Sequence, residues 1–452
     1  MKELTKEQTE EILELIRTYD KEGLQRVIPN LYPADIAELM EEVPMDETLY
    51  FYRLLPGPLA ADVLMELDEE ERSEVLEELS NEEIADTFLE YMDTDDATDL
   101  LQELDEHQQK AILAYVEDLE QVGEIEDLLK YKEDTAGGVM RKEMVVVNEN
   151  WAMPKCEAEM RAQAQEVDEM YYIYVVDDEY KLRGILPLKT LITNPFAPNI
   201  KQVMKADPVF LHVHDSIETV ISTFDRYDLV AIPVADSFGH LVGVITVDDV
   251  VDEMREQHER DLRLASGLSQ DVESSDKLLL QVGARLPWLL LGMVGGILNS
   301  ILLGGYESVF MRNPSFSLFI PMIGATGGNV GMQASAIVVQ GLANKSIKIG
   351  QTVRLLLKEL SVALVNALII CLVVFIYNYF YLGDFMAMLS VSLSLFILVI
   401  TSSFLGTAIP LLMSRFKLDP ARATGPFITI LNDLLGMFVY MSTIQILYMI
   451  LT

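Results

Sequence analysis

From residue 286 to the C-terminus the chain carries five apolar stretches long enough to cross a bilayer, at 286–306, 316–343, 355–382, 385–413 and 424–451. A bilayer core about 30 Å thick offers no water to backbone N–H and C=O groups, so each crossing must be a helix of about 20 residues that satisfies its own hydrogen bonds. Tilt or extension beyond the bilayer is expected to absorb the excess length of the longer stretches. Five crossings place the chain ends on opposite sides, and the basic residues agree. Lys277 and Arg285 precede the first crossing, Lys345, Lys348, Arg354 and Lys358 surround the second-to-third link, and Arg415, Lys417 and Arg422 lie in the fourth-to-fifth link. The alternate links hold Arg312 and, near Asp384, no base. Positive charge stays on the cytoplasmic side, so the expectation is a multi-pass protein of the cell membrane with its long N-terminal region inside and Thr452 outside.

The net charge of −39 lies almost entirely in the first 270 residues. Such a surface repels nucleic-acid phosphates and anionic lipid and attracts cations, so a nucleic-acid partner is not expected. The two cysteines, Cys156 and Cys371, fall in regions of opposite character, which argues against a disulfide framework and for a reducing cytoplasm around the soluble part. The N-terminal "MKELTKEQTEEILELI" has no uninterrupted apolar run, so no cleaved signal peptide is expected.

Residues 1–130 read as short helices in tandem. "PADIAELMEEVP", "LAADVLMELDEEE", "EIADTFLEYMD" and "DATDLLQELDEHQ" repeat one form, with Asp35, Asp62, Asp86 and Asp99 in equivalent places. This pattern predicts stacked helical hairpins, a small superhelix with acidic turns. Residues 131–250 turn β-rich. "YIYVVDDEYKLRGILPLKTLI" (172–192) aligns with "VAIPVADSFGHLVGVITVDDVV" (230–251), and "GGVMRKEMVVVNEN" upstream of the first aligns with "KQVMKADPVFLHVHDS" upstream of the second. An α/β tandem repeat of this pattern resembles a pair of CBS motifs. In that family adenine nucleotides often bind where a Ser or Thr follows the last strand and an Asp lies three residues on. Thr246 and Asp249 fit that spacing, which makes ATP a candidate regulatory ligand; an Asp there is equally a good helix-start residue.

A linker helix is expected over 251–275. Asp249, Asp252, Glu256 and Glu259 follow at i, i+3, i+7 and i+10 and so share one face, with Asp248 and Asp261 beside it and Arg255 and Arg260 partly offsetting them. The pore region then occupies 276–452.

Within the crossings carboxylates are few. Glu307 and Glu359 sit at edges and Asp419 in an inner link, whereas Asp433 in "FITILNDLLGMFVYM" lies about nine residues, or on the order of 14 Å, into its crossing. A carboxylate at that depth costs at least a few kcal/mol and marks either a polar glue residue or a functional group. The second crossing contains "PMIGATGGNVGMQASA", whose glycines permit close helix approach or exposed carbonyls and whose Asn329 and Gln333 share a face. Glycine-rich helix packing explains that stretch equally well.

The order of acidic helical domain, CBS pair, acidic linker and five crossings resembles the MgtE family of magnesium channels. The specific motifs are "RLPWLLL", "GATGGNVGMQ" and "DPARATGPFITILNDLLG", and the resemblance covers essentially the whole chain. It implies a homodimer whose pore is formed by the second and fifth crossings. Hydrated Mg2+ would be recognised near Asp433 with backbone carbonyls nearby, and Gly328, Asn329, Gln333, Gly425 and Thr429 are candidates to line the path. Mg2+ bound among the cytoplasmic regions would hold the channel shut. That sensing role carries to Asp249, Asp252 and Asp261, with Asp228 in "RYDLVAIP" and Asp95 and Asp99 of the helical domain; Glu256 and Glu259 join them on the linker face. Gln257 and Arg260 depart from the acids some relatives have, and Gly425 stands where some have Asn.

Two other readings stay open from residues alone. A secondary transporter of divalent cations such as Co2+ or Mn2+ would need an inverted repeat, which a dimer could supply. An intramembrane enzyme built on Asp433 finds no His and no paired carboxylate in the crossings, so no enzymatic activity is expected.

Overall fold

A computed structural model of the chain describes residues 4–165, 167, 170–193, 199–269, 272, 278–343, 352–381, 385–416, 418, 420 and 425–451. It divides into two compact units, Met1–Met254 and Arg255–Thr452.

The first unit opens with ten short helices, from α1 (Lys6–Arg17) to α10 (Leu119–Leu128). Their starts follow from the sequence: the side chains of Asp20, Ser80, Asp105 and Asp118 each accept N–H bonds from the following turn. Ile16, Ile36, Phe51, Leu64, Phe88 and Leu100 fill one shared core. The repeating Asp62, Asp86 and Asp99 face solvent, as residues between apolar positions of an amphipathic helix should.

Two small sheets follow. β1 (Val146–Asn148), β2 (Tyr172–Val176), β3 (Leu182–Pro187) and β4 (Lys205–Ala206) form one in that order, and β5 (Leu211–His212), β6 (Ala231–Ala235) and β7 (Leu241–Thr246) form the other. The repeat is visible in the register. Val175 pairs Gly184 in the first sheet and Val234 pairs Gly243 in the second, with a bulge one residue later in each.

The two halves also trade segments. The upstream piece of the second repeat supplies β4, which pairs the first repeat's β3, while Arg141 from the first upstream piece bridges Val244 of β7. Gly184 and Gly243 are where the crossing chains pass: a Cβ would strike Met204 and the Lys205 carbonyl at one, Met140 and the Arg141 carbonyl at the other. Sequence similarity shows that the pieces are equivalent but not which partner each takes.

β7 runs directly into α14 (Val247–Ser266), joined by α11 (Met153–Gln163), α12 (Leu188–Thr193) and α13 (Ile217–Tyr227) earlier in the unit. The expected linker therefore begins inside a helix that starts at Val247. Most of its end, from residue 270, lies outside the described residues.

The second unit comprises α15 (Leu278–Gly304), the short α16 (Glu307–Arg312), a 3-10 turn at Pro314–Phe319, then α17 (Ile320–Ala343), α18 (Thr352–Tyr381), α19 (Phe385–Arg415) and α20 (Pro426–Leu451). Among the described residues four helices combine the length and apolarity needed to cross a membrane: Leu278–Gly304, Val353–Tyr381, Phe385–Arg415 and Pro426–Ile450. Five crossings were expected. α17 has 24 residues and thus the length, but its glycines with Asn329 and Gln333 dilute its hydropathy. The loop charges at Lys345, Lys348, Lys417 and Arg422, with Asp384 and Asp419, lie outside the described residues.

α19 is central and packs against α17, α18 and α20. α15 meets α20 where Ile430 lies against Gly295, and most of its remaining surface is exposed and apolar. Tyr440 donates to the Phe316 carbonyl at 2.9 Å, tying α20 to the 3-10 turn.

Candidate functional site

In the second unit α20 brings Asp433 against the glycines of α17. A Cβ on Gly328 would stand 3.4 Å from Asp433 Oδ1 and 3.2 Å from Thr429 Cγ2, and one on Gly324 would stand 3.8 Å from Asp433 Oδ1. Any side chain at either position would therefore fill the space in front of the carboxylate. Thr429 and Asp433, four apart, share a face of α20. Thr429 Oγ1 donates to the Gly425 carbonyl at 3.1 Å, and Gly425 takes φ +64°, a left-handed conformation that favours glycine, immediately before Pro426 starts the helix.

Three of the expected lining residues, Gly328, Thr429 and Asp433, thus come together, with Gly425 one turn away. Asn329 and Gln333 lie on an exposed face of α17, since each residue turns a helix by about 100°. Bare amides facing lipid are costly, so that face belongs against protein or water. α17 and α20 contain no Lys, Arg or His, and Asp433 therefore has no cation on either helix.

In the first unit a different acidic site forms. α8 (Thr94–Gln102) presents Asp95, Asp96 and Asp99 beside the start of α14. Arg141 lies among them: Nη1 donates to Asp93 Oδ2 at 2.8 Å, Nη2 donates to Thr246 Oγ1 at 3.0 Å, and Nη2 stands 3.9 Å from Asp248 Oδ2. Asp249 Oδ2 accepts from Thr246 N at 2.9 Å and from Thr246 Oγ1 at 2.6 Å. Asp249 is therefore serving as a helix-start residue, and a nucleotide using Thr246 and Asp249 would have to replace these bonds. The cleft beside them, lined by Arg141, Tyr172, Tyr174, Val244 and Thr246, encloses about 10 Å³. An adenosine requires that cleft to open.

Burial, followed by the fields of Asp249 and Asp96, raises the Asp95 pKa well above the ordinary carboxylate value. Asp96 is pushed up to about 7 by burial and then Asp93 and Asp249. Asp99 rises to about 8 through desolvation, then Asp96 and Glu253; its side chain reaches solvent, so water screens part of this field. Burial raises Asp249 against the opposing hydrogen bonds from Thr246. These carboxylates crowd one another beyond what Arg141 offsets, which is the electrostatic requirement for taking up a cation. A neighbouring groove of about 1410 Å³ carries the same sign, with Glu90, Asp93, Glu117, Glu120, Glu124 and Glu143 among its walls.

The remaining sensor candidates are described each on its own element. Among the described residues no three His, Cys, Asp or Glu side chains are placed to grip one ion together. Asp228 is exposed and closes α13 in a left-handed conformation, φ 49°. Asp252 is exposed, Asp261 is half-buried, and Glu256 and Glu259 pair with Arg260 at 3.0 Å and Arg255 at 3.6 Å on their own helix. Sequence reasoning missed Arg141, Asp93 and Asp96 in the first unit and Asn432 in the second. The DD doublet at 95–96 and the ND doublet at 432–433 were the signals available.

Three family models match the chain: the MgtE divalent cation transporter over residues 320–443, the MgtE intracellular N domain over 31–134, and the CBS domain over 200–256. The chain is 29% identical to the magnesium transporter MgtE of Thermus thermophilus, covering 96% of this chain and 97% of that protein. It is 32% identical to the magnesium transporter MgtE of Enterococcus faecalis over 72% of this chain and 71% of that one. The first unit is similar to a crystal structure of the cytosolic domain of the Mg2+ channel MgtE in complex with ATP, with 32% identity and a TM-score of 0.50, covering 53% of this chain and 97% of that one. The helical N-terminal region, the CBS region and the apolar helical C-terminal region are thus all accounted for, and the chain belongs to the MgtE family of divalent cation transporters.

Proposed function

We propose that this protein passes Mg2+ into the cell through a homodimeric pore and is closed by Mg2+ bound to its cytoplasmic acidic residues. The observation that carries the reading is Asp433, set against Gly324 and Gly328 on helices without any basic side chain. An unbalanced carboxylate there attracts a cation, and the absent side chains leave room for one that keeps its water. Mg2+ dehydrates reluctantly and is commonly held through one or two carboxylates and its own waters. A twofold axis through this face would double the charge and cover the exposed amides of Asn329 and Gln333. On this reading α17 is the second of five crossings, with the polarity of a path-lining helix, the N-terminal region is cytoplasmic, and Thr452 is outside.

The cytoplasmic part divides functionally into 1–130, 131–250 and a linker over 251–275 ahead of the pore region 276–452. Its sensor residues are Asp95, Asp99 and Asp249 at the α8–α14 contact, with the exposed Asp228, Asp252, Glu256 and Glu259 and the half-buried Asp261 available to recruit further ions. A cation that binds the closed arrangement better shifts the population toward it. ATP at the CBS pair would act on the same contact, because opening the cleft displaces Arg141 and Thr246. The protein works by transport and not by catalysis.

The test is flux into liposomes holding the full-length protein. Mg2+ is expected to run down its gradient without a coupling ion, and Asp433→Ala to abolish the flux. Undiminished flux in the variant would sink the pore assignment, and a strict need for a H+ or Na+ gradient would favour a coupled transporter instead.

A further inference from the structure

Asn432 immediately precedes Asp433, about 100° around the helix from it, and lies against Gly331 of α17 where Asp433 lies against Gly324 and Gly328. It is fully buried, its Nδ2 donates to the Ile428 carbonyl at 2.9 Å, and a Cβ on Gly331 of α17 would overlap that same nitrogen. At this level three helices meet backbone to backbone. A Cβ on Gly406 of α19 would overlap the Gly331 carbonyl, and a Cβ on Gly327 would stand 3.4 Å from the Asn432 carbonyl oxygen. Asn432 Oδ1 has no partner among the described residues, nor have the buried hydroxyls of Ser335 and Ser402 on the two facing helices. A leucine would avoid the unpaired oxygen but could not lie flat over a glycine and bond its own helix, so the amide is chosen by shape and direction.

We propose that Asn432 is a positioning residue for ion recognition: seated in the gap left by Gly331, it sets the rotation of α20 and thereby aims Asp433 at Gly324 and Gly328. The inference rests on Asp433 as the ion-recognition group. With side-chain tips about 5–6 Å from a helix axis, a rotation of about 20° displaces a carboxylate by about 2 Å. That exceeds the roughly 0.5 Å within which a binding constellation must be held.

Liposome flux of full-length Gly331→Ala, Asn432→Ala, the double variant and Asp433→Ala, read as half-saturating Mg2+, maximal flux and the Mg2+ to Ca2+ flux ratio, tests this. Gly331→Ala is expected to evict the amide and raise half-saturating Mg2+ on the order of tenfold, with a comparable loss of discrimination. Asn432→Ala should do the same to a lesser degree. The double variant should be no worse than Gly331→Ala alone, because both act through one contact. If the singles leave half-saturation and discrimination unchanged and only lower thermal stability, Asn432 is packing and the proposal fails. Effects that multiply in the double variant also overturn it. Should Gly331→Ala not reach the membrane, Asn432→Ser introduces no clash and must still raise half-saturation. Asp433→Ala separates the two readings, since retained flux there refutes the recognition role of Asp433 whatever the Asn432 variants do.

Discussion

Replacing Arg141 by methionine keeps the aliphatic stem and removes the one guanidinium seen among Asp93, Asp95, Asp248 and Asp249. Its side chain is 10% exposed and that of Asp93 27%, so the pair is mostly withdrawn from water. Breaking such a pair by deleting one partner costs about 3–5 kcal/mol, because the other charge is left uncompensated. One feature of this site reduces the cost: Asp93 keeps some contact with water. A loss of about 2–3 kcal/mol follows, which for a unit of some 250 residues lowers its melting midpoint by about 5–10 °C. The measurement is scanning calorimetry of the purified full-length protein at pH 8 without Mg2+, reading the first transition. Added Mg2+ should recover more midpoint in Arg141→Met than in the parent, since a bound divalent cation replaces the missing positive charge and stabilises by mass action. A variant whose midpoint and Mg2+ response match the parent's would refute the view that Arg141 restrains this acidic contact.

If the same carboxylates sense Mg2+ as proposed, regulation should depend on pH. In the folded protein Asp96 titrates at about 7 and Asp99 at about 8, against an ordinary value of 3.8, so between about pH 4 and 8 the folded cluster holds more protons than the unfolded chain and loses stability as pH rises. Protons and Mg2+ compete for these sites, and the cytoplasmic Mg2+ needed for half-closure should rise severalfold from pH 8 to pH 6 in flux recordings; no change would separate these residues from the sensor. Gly328→Val places branched carbon where a Cβ is already 3.2 Å from Thr429 and 3.4 Å from Asp433, and should cut Mg2+ flux at least tenfold while dimer content on size-exclusion chromatography stays the same. Flux equal to the parent's would show that ions do not pass this face.

The architecture was legible because its signals are local. Apolar runs of spanning length, two repeats whose segments align in order, and an aspartate recurring in tandem helices each speak through neighbouring residues. Asp433 was legible for a related reason: one carboxylate in an apolar run is a local anomaly. What was not legible depends on contacts across long separations. The exchange of β4 and the Arg141 segment between the repeats, like the Arg141 bond to Thr246 across 105 residues, leaves no periodic trace. α17 shows the opposite failure. Its length marked it as a crossing, yet the glycines that lie against Asp433 and the amides of Asn329 and Gln333 also lower the apolarity by which crossings are recognised. Asn432 was hidden by its neighbour, since a polar doublet draws attention to its charged member while burial and direction, set by Gly331 and Gly406, separate their roles.

The two units meet the problem of buried negative charge in different ways, and the difference bears on which of them the ion must serve. Around α8 the carboxylates have an arginine, hydrogen bonds from Thr94 and Thr246, and protons held at raised pKa values. That site is tolerable without metal, so a cation there changes a balance and suits control. Asp433 has glycines in front of it and no basic residue on α17 or α20. On the proposed reading its compensation comes from water or from an ion entering the space, and a site that depends on a passing ion for its charge balance must also release it. A rigid cage of several carboxylates would bind Mg2+ too tightly for conduction, whereas one carboxylate per chain acting through the ion's own waters leaves the affinity modest. Adding a second acid at this level, as in Thr429→Asp one turn away on the same face of α20, should therefore tighten Mg2+ binding and lower maximal flux together; a variant that binds more tightly and conducts faster would contradict the argument.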